Sequence, residues 1–288
     1  MILNETFKMY NGVEIPKIGL GTWLVSSDDA EKSVRAALSA GYRHIDTAQG
    51  YQNEDGVGRA ISESGIKREE LFITTKIAAR HRSYAAAAAS IDESLKKLRT
   101  TYADMIIIHS PQPWELVNQS DDRFYEENAE IWRALEDAYE AKKVRAIGVS
   151  NFLVGDIENI LAHCRIRPMS NQILAHIGNT PHEVIDFCKK HDILVEAYSP
   201  IAHGVAKRDS LIIKTAEKYG VSPSRLCIRY ALQLGLVALP KSLDPDHMRE
   251  NADADFVISD GDMKTLCEYD KLKDYAEFGN FPVYGGKK

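Results

Sequence analysis

Short apolar runs alternate along the chain with longer stretches of helical spacing. Eight of the runs predict strands: Lys17–Leu20, Arg43–Asp46, Leu71–Lys76, Asp104–His109, Val144–Val149, Met169–Ile173, Ile193–Tyr198 and Leu236–Pro240. Each is short, rich in β-branched or aliphatic residues and bounded by glycine or polar punctuation. They run apolar almost throughout, as parallel strands covered on both faces do. The intervals predict helices. In the first, Ala30, Val34, Ala37 and Leu38 fall on one face, with Ser26 or Ser27 as N-cap and Gly41 as left-handed C-cap. In the third, Ile91, Leu95 and Leu98 share a face behind Ser83, and the run Ala85–Ala89 favours helix.

Eight strand–helix units in one chain of 288 residues predict a (β/α)8 TIM barrel, with residues 1–288 forming a single domain. Residues 1–15 predict a β-hairpin, turning at Asn11-Gly12, that closes the bottom of the barrel. The rival is an open doubly wound sheet. Its phosphate turn wants G-x-G-x-x-G, and Gly19-Leu-Gly21-Thr-Trp-Leu lacks the third glycine. The loops 110–123 and 200–209 follow strands, so both fall at the C-terminal face. No linker-like stretch divides the chain.

Composition narrows the class. Apolar residues at 44% and charged residues at 27% are ordinary for a soluble globular protein. A net charge of −6 gives no general attraction to nucleic acid or anionic membranes. No apolar run approaches the roughly 20 residues that span a bilayer. The start, MILNETFKMYNG, has no signal-peptide pattern, so the expectation is a cytoplasmic protein. Cys164, Cys188, Cys227 and Cys267 are far apart, which predicts reduced thiols and no metal site. The expected partner is a small molecule, and the expected state a monomer or weak dimer.

Chemistry gathers at the strand ends. Asp46 ends the second predicted strand, Lys76 the third and His109 the fourth, and Tyr51 lies in the loop after Asp46. Titratable residues at the C-terminal ends of barrel strands sit where such folds keep their active sites. A tyrosine is a poor proton donor near neutral pH unless its phenolate is stabilised. A lysine ammonium does that, an aspartate holds the lysine, and a histidine hydrogen-bonds a substrate oxygen. The four together suit protonation of a developing alkoxide. Singly, each has a plainer reading: Asp46 as a turn cap, Lys76 as a solvated strand end, His109 as a structural histidine, Tyr51 as loop packing.

The segment from Gly41 to Ile61, GYRHIDTAQGYQNEDGVGRAI, resembles the signature of the aldo-keto reductase family. So do Gly19–Trp23, the Lys76 strand end, Ile108-His109-Ser-Pro, Gly148-Val-Ser-Asn-Phe152, Asn171-Gln172, Ala197-Tyr-Ser-Pro200 and Leu239-Pro-Lys-Ser242, in the family's order. The resemblance implies an oxidoreductase that reduces aldehydes and ketones with NAD(P)H, held in an extended pose. It implies that Asp46, Tyr51, Lys76 and His109 form a catalytic tetrad with Tyr51 as general acid. By the same resemblance, Ser150, Asn151 and Gln172 meet the nicotinamide carboxamide and Tyr198 stacks on the ring. Thr22 and Asp46 touch its ribose, and Ser199 meets the pyrophosphate. Lys241 and Ser242 match residues that hold the 2′-phosphate of NADPH, and Glu250 and Asn251 match residues that meet the adenine.

One departure stands at His247, where the family usually has arginine. A neutral imidazole still stacks but offers less charge and no bidentate fork. The expectation is NADPH as main cofactor, with NADH used more readily than in a typical member. Trp23, Tyr51, His109, Trp114 and Phe152 are expected to line an aromatic substrate pocket. Ala175-His176-Ile177-Gly178, where many relatives carry Tyr-His-Pro, is expected to alter the barrel rim near Gln172 without touching the tetrad. Three other readings stay open: a Schiff-base lyase using Lys76, a non-catalytic regulatory subunit with the same barrel, and, weakest, a metal-dependent hydrolase.

Overall fold

A computed structural model describes residues 1–117 and 119–285. Strand β1 (Thr6–Lys8) pairs antiparallel with β2 (Glu14–Pro16). The connection turns where the Gly12 amide donates to Met9 O at 2.9 Å. Apolar Ile2, Met9 and Ile15 face the core and are almost fully buried. The Tyr10 hydroxyl donates to Arg167 O and the Asn11 amide to Arg145 O, tying the hairpin to the N-terminal ends of later strands. It closes the bottom, as the sequence predicts.

Eight parallel strands follow: β3 (Leu20–Gly21), β4 (His44–Asp46), β5 (Phe72–Ile77), β6 (Ala103–Ile108), β7 (Val144–Ser150), β8 (Ser170–Leu174), β9 (Leu194–Tyr198) and β10 (Val237–Leu239). Each pairs with the next in chain order. The barrel closes between first and last: Gly19 N donates to Ala238 O, Ala238 N to Lys17 O, and Gly21 N to Pro240 O, all within 3.0 Å. The first strand is shorter than its pattern predicts, because residues 17–19 turn their hydrogen bonds toward β10 while only Leu20 and Gly21 pair with β4. Every residue of β5 and β6 is buried, which explains their unbroken apolar runs.

Helices α1 (Ser27–Ser39), α2 (Glu54–Ser62), α3 (Tyr84–Lys97), α4 (Tyr125–Glu140), α5 (Val154–His163), α6 (His182–Lys190), α7 (Ser210–Lys218), α8 (Pro223–Gln233), α9 (Pro245–Ala252), α10 (Asp260–Glu268) and α11 (Pro282–Gly285) complete the chain. The Ser26 hydroxyl caps α1 by accepting from Asp29 N. Gly41, at φ +99°, ends it: its amide donates to Leu38 O and that of Tyr42 to Ala37 O, the paired bonds of a Schellman motif. This stop delivers the chain directly into β4 and so sets Asp46 at the top of the barrel. Among the described residues no helix is long and apolar enough to cross a membrane.

Candidate active site

The inward faces of β4 and β5 carry polar residues at period two: His44 and Asp46 on one, Thr74 and Lys76 on the other. Pairing of β4 with β5 brings them together. The Lys76 ammonium donates to Asp46 Oδ1 at 2.5 Å, to Thr47 O at 3.0 Å and to the Tyr51 hydroxyl at 3.3 Å. Lys76 is 0% exposed, so its three donors find partners within the protein.

Tyr51 sits on a short 3-10 turn, Gln49–Tyr51, fixed from both sides. Gln49 donates to Ser90 O and Ser94 Oγ and accepts from Ala78 N. Fully buried Asn53 donates to Thr22 O and Val25 O and accepts from Thr47 Oγ1. The loop is therefore held by its own side chains, and the phenol points where these anchors aim it. The Tyr51 ring meets the edge of His109 at 5.4 Å between centroids, and His109 meets Trp114 at 4.9 Å, nearly perpendicular. The four strand-end residues and Trp114 thus form one cluster.

Electrostatics in the cluster differ from the sequence expectation in one respect. Burial, with the Asp46 charge adding to it, holds the Tyr51 hydroxyl well above its ordinary range. The ammonium bond to the phenol does not offset that desolvation, because the Asp46 carboxylate beside it favours the protonated phenol. Tyr51 therefore keeps its proton at neutral pH. His109 is held well below the usual histidine range by burial and then by the Lys76 charge, so it is a neutral imidazole.

The remaining top-face residues interlock. Gln172 donates to Asp46 Oδ2 at 2.8 Å. Ser150 donates to Gln172 O, and Asn151 donates to Ser150 Oγ and His109 O. The Tyr198 hydroxyl donates to Asn151 Oδ1 at 2.7 Å, and the Thr22 hydroxyl to Asp46 O. Asn151 and Ser199 follow β7 and β9 directly in left-handed backbone, at φ +62° and +51°. For serine that conformation stores roughly 1 kcal/mol or more.

The C-terminal tail roofs this face, a feature the sequence did not reveal. Tyr284 packs on Trp23, Tyr198, His203 and Tyr275, and its hydroxyl pairs with Ser199 Oγ at 2.9 Å. Trp23 also meets Phe278 and Phe281. The departure at residues 175–178 anchors the tail: buried His176 pairs through Nε2 with the Tyr275 hydroxyl at 2.8 Å, and Leu272 N donates to Gly178 O. Among the described residues no hydrogen bond or ring contact joins it to Asp46, Tyr51, Lys76 or His109. Two grooves on the outer wall, of about 290 and 560 Å³, include no tetrad residue.

Two sequence expectations need correction or qualification. Phe152 does not line the mouth; it is 0% exposed within the main hydrophobic core. The adenosine-end residues are scattered compared with the tetrad. Lys241 and His247 are exposed, Glu250 is half-buried, and Asn251 is buried in α9. Ser242 turns its hydroxyl to Asp244 O, Asp244 caps α9, and Arg249 pairs with Asp246 rather than standing free. The Lys241 charge lies near enough to His203 to help burial push that imidazole down to about 4.

Sequence reasoning also missed Glu196, a fully buried carboxyl on β9. Its signal was a lone acid in an apolar run, two residues before Tyr198 and so on the same strand face.

Comparison with known proteins identifies the class. The profile of the Aldo/keto reductase family matches residues 17–271. The chain is 41% identical over 271 residues to a glyoxal reductase of Bacillus subtilis, covering 93% of this chain and 94% of that protein. An aldo/keto reductase structure from Brucella melitensis superposes with a TM-score of 0.86 at 38% identity, covering 92% of this chain and 99% of that one. An aldo-keto reductase from Bombyx mori, solved in complex with NADP, superposes with a TM-score of 0.85 at 30% identity, over 97% and 98% of the two chains. The protein belongs to the aldo/keto reductase family.

Proposed function

We propose that this chain is a single-domain, cytoplasmic carbonyl reductase that converts aldehydes and ketones to alcohols with NADPH, and with NADH less efficiently. The observation that carries the reading is the contact between the Lys76 ammonium and the Tyr51 hydroxyl, with Asp46 beneath and His109 beside it. The top face fits a nicotinamide cofactor: a tyrosine ring on β9, three amide or hydroxyl side chains at the end of β7 and within β8, and a buried His109 Nδ1 without a partner among the described residues. Ser150, Asn151 and Gln172 would hold the carboxamide, Tyr198 the ring, Thr22 and Asp46 the ribose, Ser199 the pyrophosphate. Lys241, Ser242, His247, Glu250 and Asn251 would hold the adenosine end. When bound, the reduced cofactor supplies a hydride to the carbonyl carbon.

The chain's own residues do the rest. Neutral His109 donates a hydrogen bond to the carbonyl oxygen, and Tyr51 gives that oxygen its proton as negative charge develops there. Lys76 stabilises the resulting phenolate at the moment of transfer, and Asp46 keeps the ammonium in place. Trp23 and Trp114 supply apolar walls. All three donors of Lys76 are engaged, which disfavours a Schiff base at that nitrogen.

Oxidation of NADPH by a panel that includes glyoxal, simple aldehydes and α-keto esters tests the reading. Tyr51→Phe is expected to lower kcat by about 10²–10⁴, the usual range for a lost general acid. Full turnover by that variant would overturn the mechanism. For the cofactor, an NADH efficiency on the order of a thousandfold below that of NADPH would sink the relaxed choice inferred from His247.

A further inference from the structure

Glu196 is 0% exposed, and strand pairing sets it beside Gln172 inside the barrel. The Ser170 hydroxyl donates to Oε1 at 2.6 Å. Oε2 has no hydrogen-bond partner among the described residues. Gln172 commits its amide nitrogen to Asp46 Oδ2 instead, leaving Glu196 outside hydrogen-bond geometry though near enough to feel the amide. The register partner on β10 is Val237, which offers no charge.

The charged groups that act on Glu196 are therefore Asp46 on β4 and Lys76 on β5. His44, two residues below Asp46 on the same face, is fully buried and held down to about 3 by burial and the Lys76 charge, so it contributes no cation. Tyr198 and Tyr51 are neutral, both held well above the ordinary tyrosine range. One cation thus faces two carboxyl groups, Asp46 at 4% exposure and Glu196 at none. Asp46 holds the cation at 2.5 Å, and Glu196 has only a serine. A buried carboxylate oxygen without a donor is costly, and protonation is how such a group relieves it.

We infer that Glu196 is a positioning residue for the reduction: neutral, it leaves Asp46 and Lys76 as a balanced pair beneath Tyr51, and ionised, it adds an uncompensated negative charge that slows proton donation. The negative charge opposes formation of the Tyr51 phenolate and competes with Tyr51 for the Lys76 ammonium. Burial, then repulsion by Asp46, raises the carboxyl to about 7, which places the change in the working range of the protein. Reduction is expected to be fastest with Glu196 protonated and to decline as pH rises through neutrality, ahead of the higher limb set by Tyr51.

This inference rests on Tyr51 being the acid, and the test separates the two. Reduction of one aldehyde by NADPH is followed from about pH 5.5 to 9.5 in the native protein, in Glu196→Gln and in Tyr51→Phe. The native kcat is expected to fall about three- to tenfold across a limb near neutral pH, with KM little changed. Glu196→Gln, which mimics the neutral form at every pH, is expected to keep the low-pH rate and lose that limb. A neutral limb that survives in Glu196→Gln, or its absence from the native protein, overturns the inference while leaving Tyr51 in place. Full activity of Tyr51→Phe overturns the reading beneath it instead. Should Glu196→Gln not fold, infrared spectra of the native protein labelled with ¹³C-glutamate decide. A protonated glutamate band near pH 6 that fades by pH 8 supports the inference, and its absence at both overturns it.

Discussion

The two ends of the proposed cofactor track are built on opposite plans. At the proton end, Asp46 and Lys76 lie buried at the tops of β4 and β5 and Gln172 midway along β8, and Asp46 already bonds both of the others. At the adenosine end, Lys241 and His247 are exposed on the segment after the last strand and the start of α9. The first region has its geometry fixed before any ligand arrives, so little ordering remains for the reaction. The second must order long side chains on binding, at roughly 0.5–1.5 kcal/mol each. Chemistry should therefore be intolerant of change at the first end, and affinity adjustable at the second.

The comparison is tested hardest at Lys76. Lys76→Met strands the Asp46 carboxylate in the barrel, and a buried pair broken on one side costs about 3–5 kcal/mol. Chemical denaturation should show that loss, together with a fall in kcat at least as large as for Tyr51→Phe. A stable, active Lys76→Met would erase the contrast between the ends.

Next in size is the acid response of the tail anchor. Burial lowers His176 from 6.5 to about 4. Between those values the unfolded chain binds the proton and the folded one does not, so stability present above pH 6.5 is lost as pH falls toward 4. The full span corresponds to about 3 kcal/mol. His176→Gln should flatten the decline of the denaturation midpoint between about pH 6.5 and 4 relative to the native protein. An identical acid slope in the variant would show that another group carries it.

At the adenosine end, His247→Arg should lower the Kd for NADPH about tenfold through a charge-assisted bond to the 2′-phosphate, with NADH affinity little altered. Titration of cofactor fluorescence would read both. A smaller effect is expected from Tyr284→Phe. Freeing Ser199 Oγ from the tail, at the net worth of one hydrogen bond, should tighten NADPH about two- to tenfold. Weaker binding in that variant would mean that the tyrosine hydroxyl assists the cofactor.

The parts of the fold legible in sequence were those set by local pattern. Strand runs such as 71–76 and 144–149 lie within about a residue of the structure, because continuous burial writes itself as continuous apolar sequence. Ser26, Ser83 and Gly41 acted as the capping rules require. The cluster of Asp46, Tyr51, Lys76 and His109 was legible because polar residues end apolar strands. Long-range closure was not. The bonds from Ala238 to Lys17 shorten the first strand, and no local signal marks them. Nor did a nearly featureless tail disclose that Tyr284 reaches Ser199, 85 positions earlier. Phe152 misled because an aromatic beside a site motif reads the same whether it faces the mouth or the core.

The tail is pinned at Tyr275 and again at Tyr284, with an exposed stretch between them. Leu272 and Tyr275 are sunk into a satellite core with Ile177 and Tyr230, so the chain up to that point is framework. From Ala276 to Val283 every residue is at least partly exposed, yet Phe278 and Phe281 form part of the aromatic wall against Trp23. The wall proposed to meet the substrate is thus written partly in residues that lie outside every barrel strand. Randomised as a cassette, that stretch would vary the wall around Trp23 while leaving the strand-end cluster of Asp46, Lys76 and His109 untouched.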